Sequence, residues 1–155
     1  MKKKGLLLFS IIGFICLFLT TGCGKTAIEA EDFKVTMDGK GFKLVDATSQ
    51  FVKQEYVKKV YVAMSSDSTY QIEFYEFAED SDGKTFFETN KKDFEDGKSN
   101  NYSQNNINIG KYNKYTLTSG DKYQVVSRIG NTAIFVNTDK KYKDDINDII
   151  KELGY

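Results

Sequence analysis

The chain lacks histidine, proline and tryptophan, and it has two cysteines, Cys16 and Cys23, among 155 residues. Without histidine, Ser-His-Asp and Cys-His catalytic sites and imidazole metal sites are excluded. A carboxylate pair of the glycosidase type stays formally open. However, Glu73 and Glu76 are three residues apart on one predicted strand and therefore point to opposite faces. The sequence predicts that the protein is not an enzyme and holds no metal, with a His-free hydrolase as the least favoured alternative.

An excess of charge of either sign is also missing, because 22 basic residues balance 22 acidic ones. Nucleic-acid-binding domains generally carry a basic surface that neutralises phosphates. Without the three lysines at positions 2–4, the remaining chain has 19 basic against 22 acidic residues and a net charge near −3. This balance predicts that nucleic acid is not a partner.

The N-terminal 23 residues carry the clearest signal in the chain. Lysines at positions 2–4 precede an apolar run from Gly5 to Leu19, which is the pattern of a signal peptide. That run covers 15 residues, whereas a membrane-spanning helix needs about 20 apolar residues. An ordinary secretory leader is the other alternative, but it would leave Cys23 as an unpaired thiol on a secreted domain.

The end of this segment, Thr21-Gly22-Cys23, resembles a bacterial lipobox, although Thr20 stands where leucine is usual. The resemblance implies that residues 1–22 are a signal peptide, removed by lipoprotein maturation enzymes. Cys23 would then carry a diacylglyceryl group, the only cofactor-like group implied. Two acyl chains suffice for stable anchoring. The expected location is the cell membrane, on its extracytoplasmic face.

The whole chain also resembles small membrane lipoproteins of low-GC Gram-positive bacteria. They share the lysine-rich start, the lipobox and a short α+β domain with a strand such as Tyr70–Phe77. This second resemblance implies no particular activity.

Residues 23–155 are predicted to form a single extracytoplasmic α+β domain. Hydrophobic periodicity indicates the order αβββ-αβββ-α, with about six mostly antiparallel strands and all helices packed on one face of the sheet. Thr26 and Glu29 suggest a capping box for the first helix. Residues 98–108 are rich in Asn, Ser and Gln and are predicted to form a mobile loop. The last helix shows apolar residues at helical spacing: Tyr142, Ile146, Ile149, Ile150 and Leu153.

Turn residues predict the strand registers. A five-residue loop at 65–69 would pair Val62 with Ile72 and bury both. Gly130-Asn131 predicts a two-residue hairpin that sets Val125 opposite Val136. A three-residue turn at 119–121 would add Tyr115 and Leu117 to that same buried face.

The other face of the sheet is the candidate ligand surface. Aromatic rings cover apolar C–H surface of sugars or peptides, and polar groups orient them. Arg128, the one arginine in the chain, is able to bind a carboxylate or phosphate in bidentate fashion. Alternatively, these are ordinary solvent-facing strand residues, and Arg128 pairs with Glu73. The residues of this predicted surface are Tyr61, Gln71, Glu73, Tyr75, Gln124, Arg128 and Phe135.

The sequence thus predicts a non-catalytic binding module for a wall fragment, peptide or small solute. An accessory lipoprotein that docks on a membrane protein complex is the alternative. The region from Cys23 to Tyr155 covers 133 residues, which is small for a two-lobed solute-binding protein that closes on its ligand.

Overall fold

The computed structural model describes residues 25–155. The signal peptide and Cys23 lie outside the described residues, so both stay predictions. Two short 3-10 turns, Thr48–Phe51 and Lys140–Tyr142, accompany the main elements. In chain order these are α1 (Ala30–Gly39), β1 (Lys43–Asp46), β2 (Val57–Met64), β3 (Gln71–Phe77), α2 (Asp80–Asp96), β4 (Tyr102–Ile109), β5 (Tyr112–Ser119), β6 (Lys122–Ile129), β7 (Thr132–Asp139) and α3 (Lys143–Glu152).

The seven strands form one antiparallel sheet with the order β1-β2-β3-β7-β6-β5-β4. This confirms an α+β fold with a mostly antiparallel sheet, but it has one strand more than predicted. Strands β3 and β7 meet in the middle, where Glu73 pairs with Phe135 and Glu76 with Thr132. We call the end of the sheet that carries the turns at 110–111 and 130–131 the Gly130 end, and the opposite end the Ser65 end.

Helices cover both faces of the sheet, so the prediction that all of them pack on one face is wrong. Phe33 and Met37 of α1 and Ile146 of α3 pack on one face, which we call the α1/α3 face. Phe87 and Phe94 of α2 pack on the other, the α2 face. The reason lies in the apolar content of the central strands. Val125 and Val126 are consecutive on β6, so they point to opposite faces, and each is fully buried.

The β2–β3 hairpin differs from its predicted register by one residue. Met64 pairs with Gln71, and Ala63 pairs with Ile72. The connection has six residues because Ser65 organises it: its N–H donates to the Tyr70 carbonyl, and its Oγ accepts the N–H of Thr69. A slip of one residue exchanges the two faces of a strand. Val62 consequently leaves the α1/α3 face.

Most of the segment 98–108, predicted to be a mobile loop, instead belongs to strand β4, which begins at Tyr102. It pairs with β5 without a bulge along its full length. Its side chains are exposed except for the half-buried Ile107, so its sequence carries no alternating apolar signal. Backbone hydrogen bonds to β5, rather than side-chain burial, define this strand.

The β5–β6 connection is a two-residue turn and not the three-residue turn that was predicted. Ser119 pairs with Lys122, and Gly120 adopts a φ of 56°, which suits the turns that join antiparallel strands tightly. Tyr115 and Leu117 therefore lie on the α2 face instead of the α1/α3 face. The predicted β6–β7 hairpin is confirmed, because Val125 pairs with Val136 across the Gly130-Asn131 turn.

The two terminal helices follow their apolar periodicity. Helix α1 begins at Ala30 with Glu29 as its N-cap residue, and no side-chain capping hydrogen bond is present there. The capping box predicted at Thr26 is therefore wrong, although Phe33 and Met37 are buried as expected. Helix α3 buries Ile146 with Ile149 and Ile150, as predicted.

Candidate functional site

A groove lies on the α2 face, between α2 and the segment that leads into β2. We call it the α2 groove. Its volume is about 390 Å³, within the range of about 300–1,000 Å³ that is typical of small-ligand sites. It lies towards the Gly130 end, because its floor is formed by the end of β3 and its side by the first half of α2. Its lining residues are Phe51, Gln54, Tyr56, Val57, Tyr75, Phe77, Asp82, Thr85, Phe86, Thr89 and Asn90.

The walls of the α2 groove are aromatic. Tyr75 and Phe77 are two residues apart on β3 and therefore project from the same face, with their rings stacked at 6.0 Å. Phe86 of α2 packs on both, at centroid distances of 4.5 Å and 5.2 Å. Phe51 closes the other side, edge-on to Tyr75 at 6.0 Å. Such a set of rings offers both faces and edges to an apolar ligand surface.

The rim of the groove is polar and mostly uncharged. The Tyr56 hydroxyl donates to Gln54 Oε1 at 3.1 Å. Along α2, the side-chain N–H of Asn90 donates to the Phe86 carbonyl at 2.8 Å. The amide oxygen of Asn90 is not used in this bond and can accept a hydrogen bond from a ligand. Asp82 is the charged residue of the lining, and it accepts the Glu79 N–H at 3.1 Å. The groove therefore suits a neutral or amphipathic ligand better than a strongly charged one.

Tyr75 presents its ring to the groove while its hydroxyl is used elsewhere. The hydroxyl donates to Glu73, whose second carboxylate oxygen accepts the Gln71 amide at 2.7 Å. Burial, followed by the neighbouring Glu73 charge, raises the pKa of Tyr75 well above its usual range. The hydroxyl therefore stays protonated at physiological pH and acts as a fixed donor that orients the ring.

The structure places six of the seven residues of the predicted ligand surface on the α2 face. Tyr61 is the exception, because the one-residue register difference places it on the α1/α3 face, where it is 8% exposed. Tyr75 is the member that lines the α2 groove. Phe135 lies beneath α2, 5.5 Å from Phe94. Those that share the α2 face are Gln71, Glu73, Tyr75, Gln124, Arg128 and Phe135.

Arg128 is buried and bonded to the protein itself. Its Nε donates to Asn113 Oδ1 at 2.6 Å, and its Nη1 donates to the carbonyls of Gly130 at 2.8 Å and Asp80 at 3.2 Å. These contacts join the first residue of α2 to the β6–β7 turn. Arg128 is 5% exposed. Its position indicates a structural role, and the alternative pairing with Glu73 is not among its contacts.

Sequence reasoning did not find most of the groove. Residues 46–56 have no clear periodicity, so Phe51 and Tyr56 could not be placed on either face. Phe77 ends the predicted strand Tyr70–Phe77, but the sequence gives no sign that Phe77 and Phe86 meet Phe51. The one available signal was an apolar pair, Phe51-Val52, in an otherwise polar stretch.

Two further observations concern the part of the chain between residues 25 and 155. It contains no cluster of three or more acidic or cysteine side chains that could hold a metal ion. Among the helices described, none has the length and hydropathy required to cross a membrane. A comparison of the chain with protein-family models, curated proteins and solved structures finds no match.

Proposed function

We propose that the protein is a non-catalytic binding module, held on the extracytoplasmic face of the cell membrane by a lipid on Cys23. The observation that carries the binding role is the α2 groove, which has a volume of about 390 Å³, four aromatic rings in its walls and a polar, mostly uncharged rim. A saccharide ring of a wall fragment, or an apolar side chain of a peptide, matches these walls because both offer C–H surface to aromatic rings.

A docking role on a membrane protein complex is the second candidate. It is favoured by Tyr56, which lines the groove and is 48% exposed, and by Val52, which directly follows the lining residue Phe51 and is 75% exposed. A side chain of a protein partner could enter the same groove. The two candidates therefore share a site and differ in the size of what binds there.

The test is a pair of matched tryptophan variants on α2. Thr89 is exposed and lines the groove, so Thr89→Trp should fill it without disturbing the core. Lys92 is exposed on the same helix and does not line the groove, so Lys92→Trp is the control. Muropeptides, short oligosaccharides and peptides are titrated into the purified protein, and amide NMR shifts are recorded.

Binding that survives in Lys92→Trp and is lost in Thr89→Trp would support the binding module and locate its site. Equal binding by the two variants would place the ligand elsewhere and remove the groove from the proposal. The absence of amide NMR shifts with all three ligand classes would favour the docking role. Cross-linking in intact membranes would then be used to identify a protein partner.

A further inference from the structure

We propose that the Gly130 end of the sheet rests on the lipid bilayer, so that the domain has a fixed orientation on the membrane. This inference builds on the proposed lipid anchor at Cys23. It adds the surface of the domain that contacts lipid, which the anchor alone does not define.

The described chain begins at this end of the sheet. Lys25 Nζ donates to the Gly154 carbonyl at 2.6 Å and lies 4.4 Å from the centre of the Tyr112 ring. Tyr112 is the first residue of β5 and pairs with Ile109, directly beside the turn at 110–111. Two residues of extended chain span at most about 7 Å, at about 3.6 Å per residue, so a lipid on Cys23 would be attached close to Lys25. Acyl chains on Cys23 would therefore enter the bilayer next to this end.

Six large apolar residues are exposed in the described part of the chain; Tyr56 and Ile109 lie at this end, and Val52 belongs to the segment that leads into it. Ile109, the last residue of β4, is 64% exposed. Tyr56 directly precedes β2, and its carbonyl accepts the Ala78 N–H at the end of β3. Val52, in the same segment as Tyr56, is 75% exposed. Strands β2 and β4 are five places apart in the sheet, which is about 24 Å at about 4.8 Å per strand.

At the Gly130 end, these exposed apolar residues therefore lie near β2 on one side of the sheet and on β4 on the other. The proposed anchor is close to Ile109 of β4. Tyrosine suits the boundary between lipid and water because its ring is apolar and its hydroxyl is polar. Most charges here occur in pairs of opposite sign: Lys53 and Glu55 lie between Val52 and Tyr56, and Lys111 forms an ion pair with Asp80, whereas Lys25 contacts Tyr112. The contact is therefore expected to be apolar and to form on neutral as well as anionic lipid.

The proposed orientation also determines where the α2 groove lies relative to the membrane surface. Tyr56 and Val57 line it, and both belong to the Gly130 end. The groove entrance would then lie close to the lipid headgroups, within reach of ligands attached to the membrane.

The experiment uses single-cysteine variants of the full chain. Cys16 would leave with the signal peptide and the Cys23 thiol would be consumed by the lipid, so an introduced cysteine is the one free thiol. Val52→Cys and Ile109→Cys report on the proposed surface, and Ser66→Cys, exposed in the loop of the Ser65 end, is the control. Each protein is labelled with an environment-sensitive nitrobenzoxadiazole dye and reconstituted in phosphatidylcholine vesicles.

We expect the dyes at positions 52 and 109 to emit at shorter wavelength and to be quenched by doxyl groups on the lipid. The dye at position 66 should instead be quenched by aqueous iodide. Equal iodide quenching at all three positions, in protein that floats with the vesicles, would overturn the orientation and leave the anchor standing. Protein that does not float, and that incorporates no labelled fatty acid in cells, would overturn the anchor and the orientation together.

Discussion

At the scale of single residues, Arg128 makes the most side-chain hydrogen bonds to other elements among the predicted site residues. Its guanidinium reaches β5 through Asn113, the β6–β7 turn through Gly130, and α2 through Asp80. Next to it, a Cβ on Gly83 would lie 2.8 Å from the Gly130 carbonyl, so the backbones of α2 and the turn are in close contact. Arg128 therefore satisfies carbonyl groups that this close approach shields from water.

Truncation of Arg128 should destabilise the fold. Arg128→Ala leaves the Asn113 amide oxygen and two backbone carbonyls without their donor, and we expect a loss of about 3 kcal/mol in the free energy of unfolding. Lys92→Ala, on the exposed side of α2, should change it by less than about 0.5 kcal/mol. Urea unfolding followed by circular dichroism measures both. A loss below about 1 kcal/mol for Arg128→Ala would instead return Arg128 to the candidate ligand contacts.

At the scale of elements, the register of the β2–β3 hairpin decides which side chains are buried. Ala63 is fully buried on the α1/α3 face, whereas Val62 is half-buried on the α2 face beside Glu73. The predicted register would have given the opposite assignment, with Val62 in the core.

Two neighbouring substitutions distinguish these registers. Ala63→Asp places an unpaired carboxylate in the core and should cost more than about 3 kcal/mol, which unfolds much of the protein. Val62→Asp, with partial access to water, should cost about 1 kcal/mol, including repulsion from Glu73. Chemical unfolding curves of the two variants give the comparison. A larger effect at position 62 than at position 63 would contradict the register described above.

Elements with a local sequence code could be predicted, and those without one could not. The β6–β7 hairpin is encoded by Gly130-Asn131, and α3 is encoded by isoleucines at helical spacing. Strand β4 has no such code, because an edge strand with exposed side chains needs only its backbone bonds to β5. The 65–70 loop depends on hydrogen bonds of Ser65 that spacing rules do not include.

At the scale of the whole molecule, the position of α2 could not be predicted from the pattern of any one element. Its phenylalanines form an apolar face, but both faces of the central strands are apolar as well. Which face a helix covers depends on where the chain crosses the end of the sheet. The candidate surface was therefore expected to be open, and it is largely covered by α2, which leaves the α2 groove beside it.

The proposed location of the molecule depends on a lipid at Cys23. Cys23→Ala should abolish incorporation of labelled fatty acid and should leave an uncleaved precursor or release the protein to the medium. Cys16→Ala, within the apolar run, should leave incorporation unchanged and serves as the matched control. Metabolic labelling and membrane fractionation of cells that express each variant provide the measurement. Unchanged membrane attachment of Cys23→Ala, with cleavage at another position, would contradict lipid anchoring.

The central β3–β7 pair has a consequence for how the protein folds. In the described sheet it is the one pair of neighbouring strands that are not consecutive in the chain. Each of the two strand groups, β1–β3 and β4–β7, can therefore form from contacts close in sequence, before they meet. Closing a long loop adds little entropy cost for each further residue, but such non-local pairing slows folding. We expect the pairing of β3 with β7 to be the late, slow step of folding. It is completed when α2 packs across these two strands.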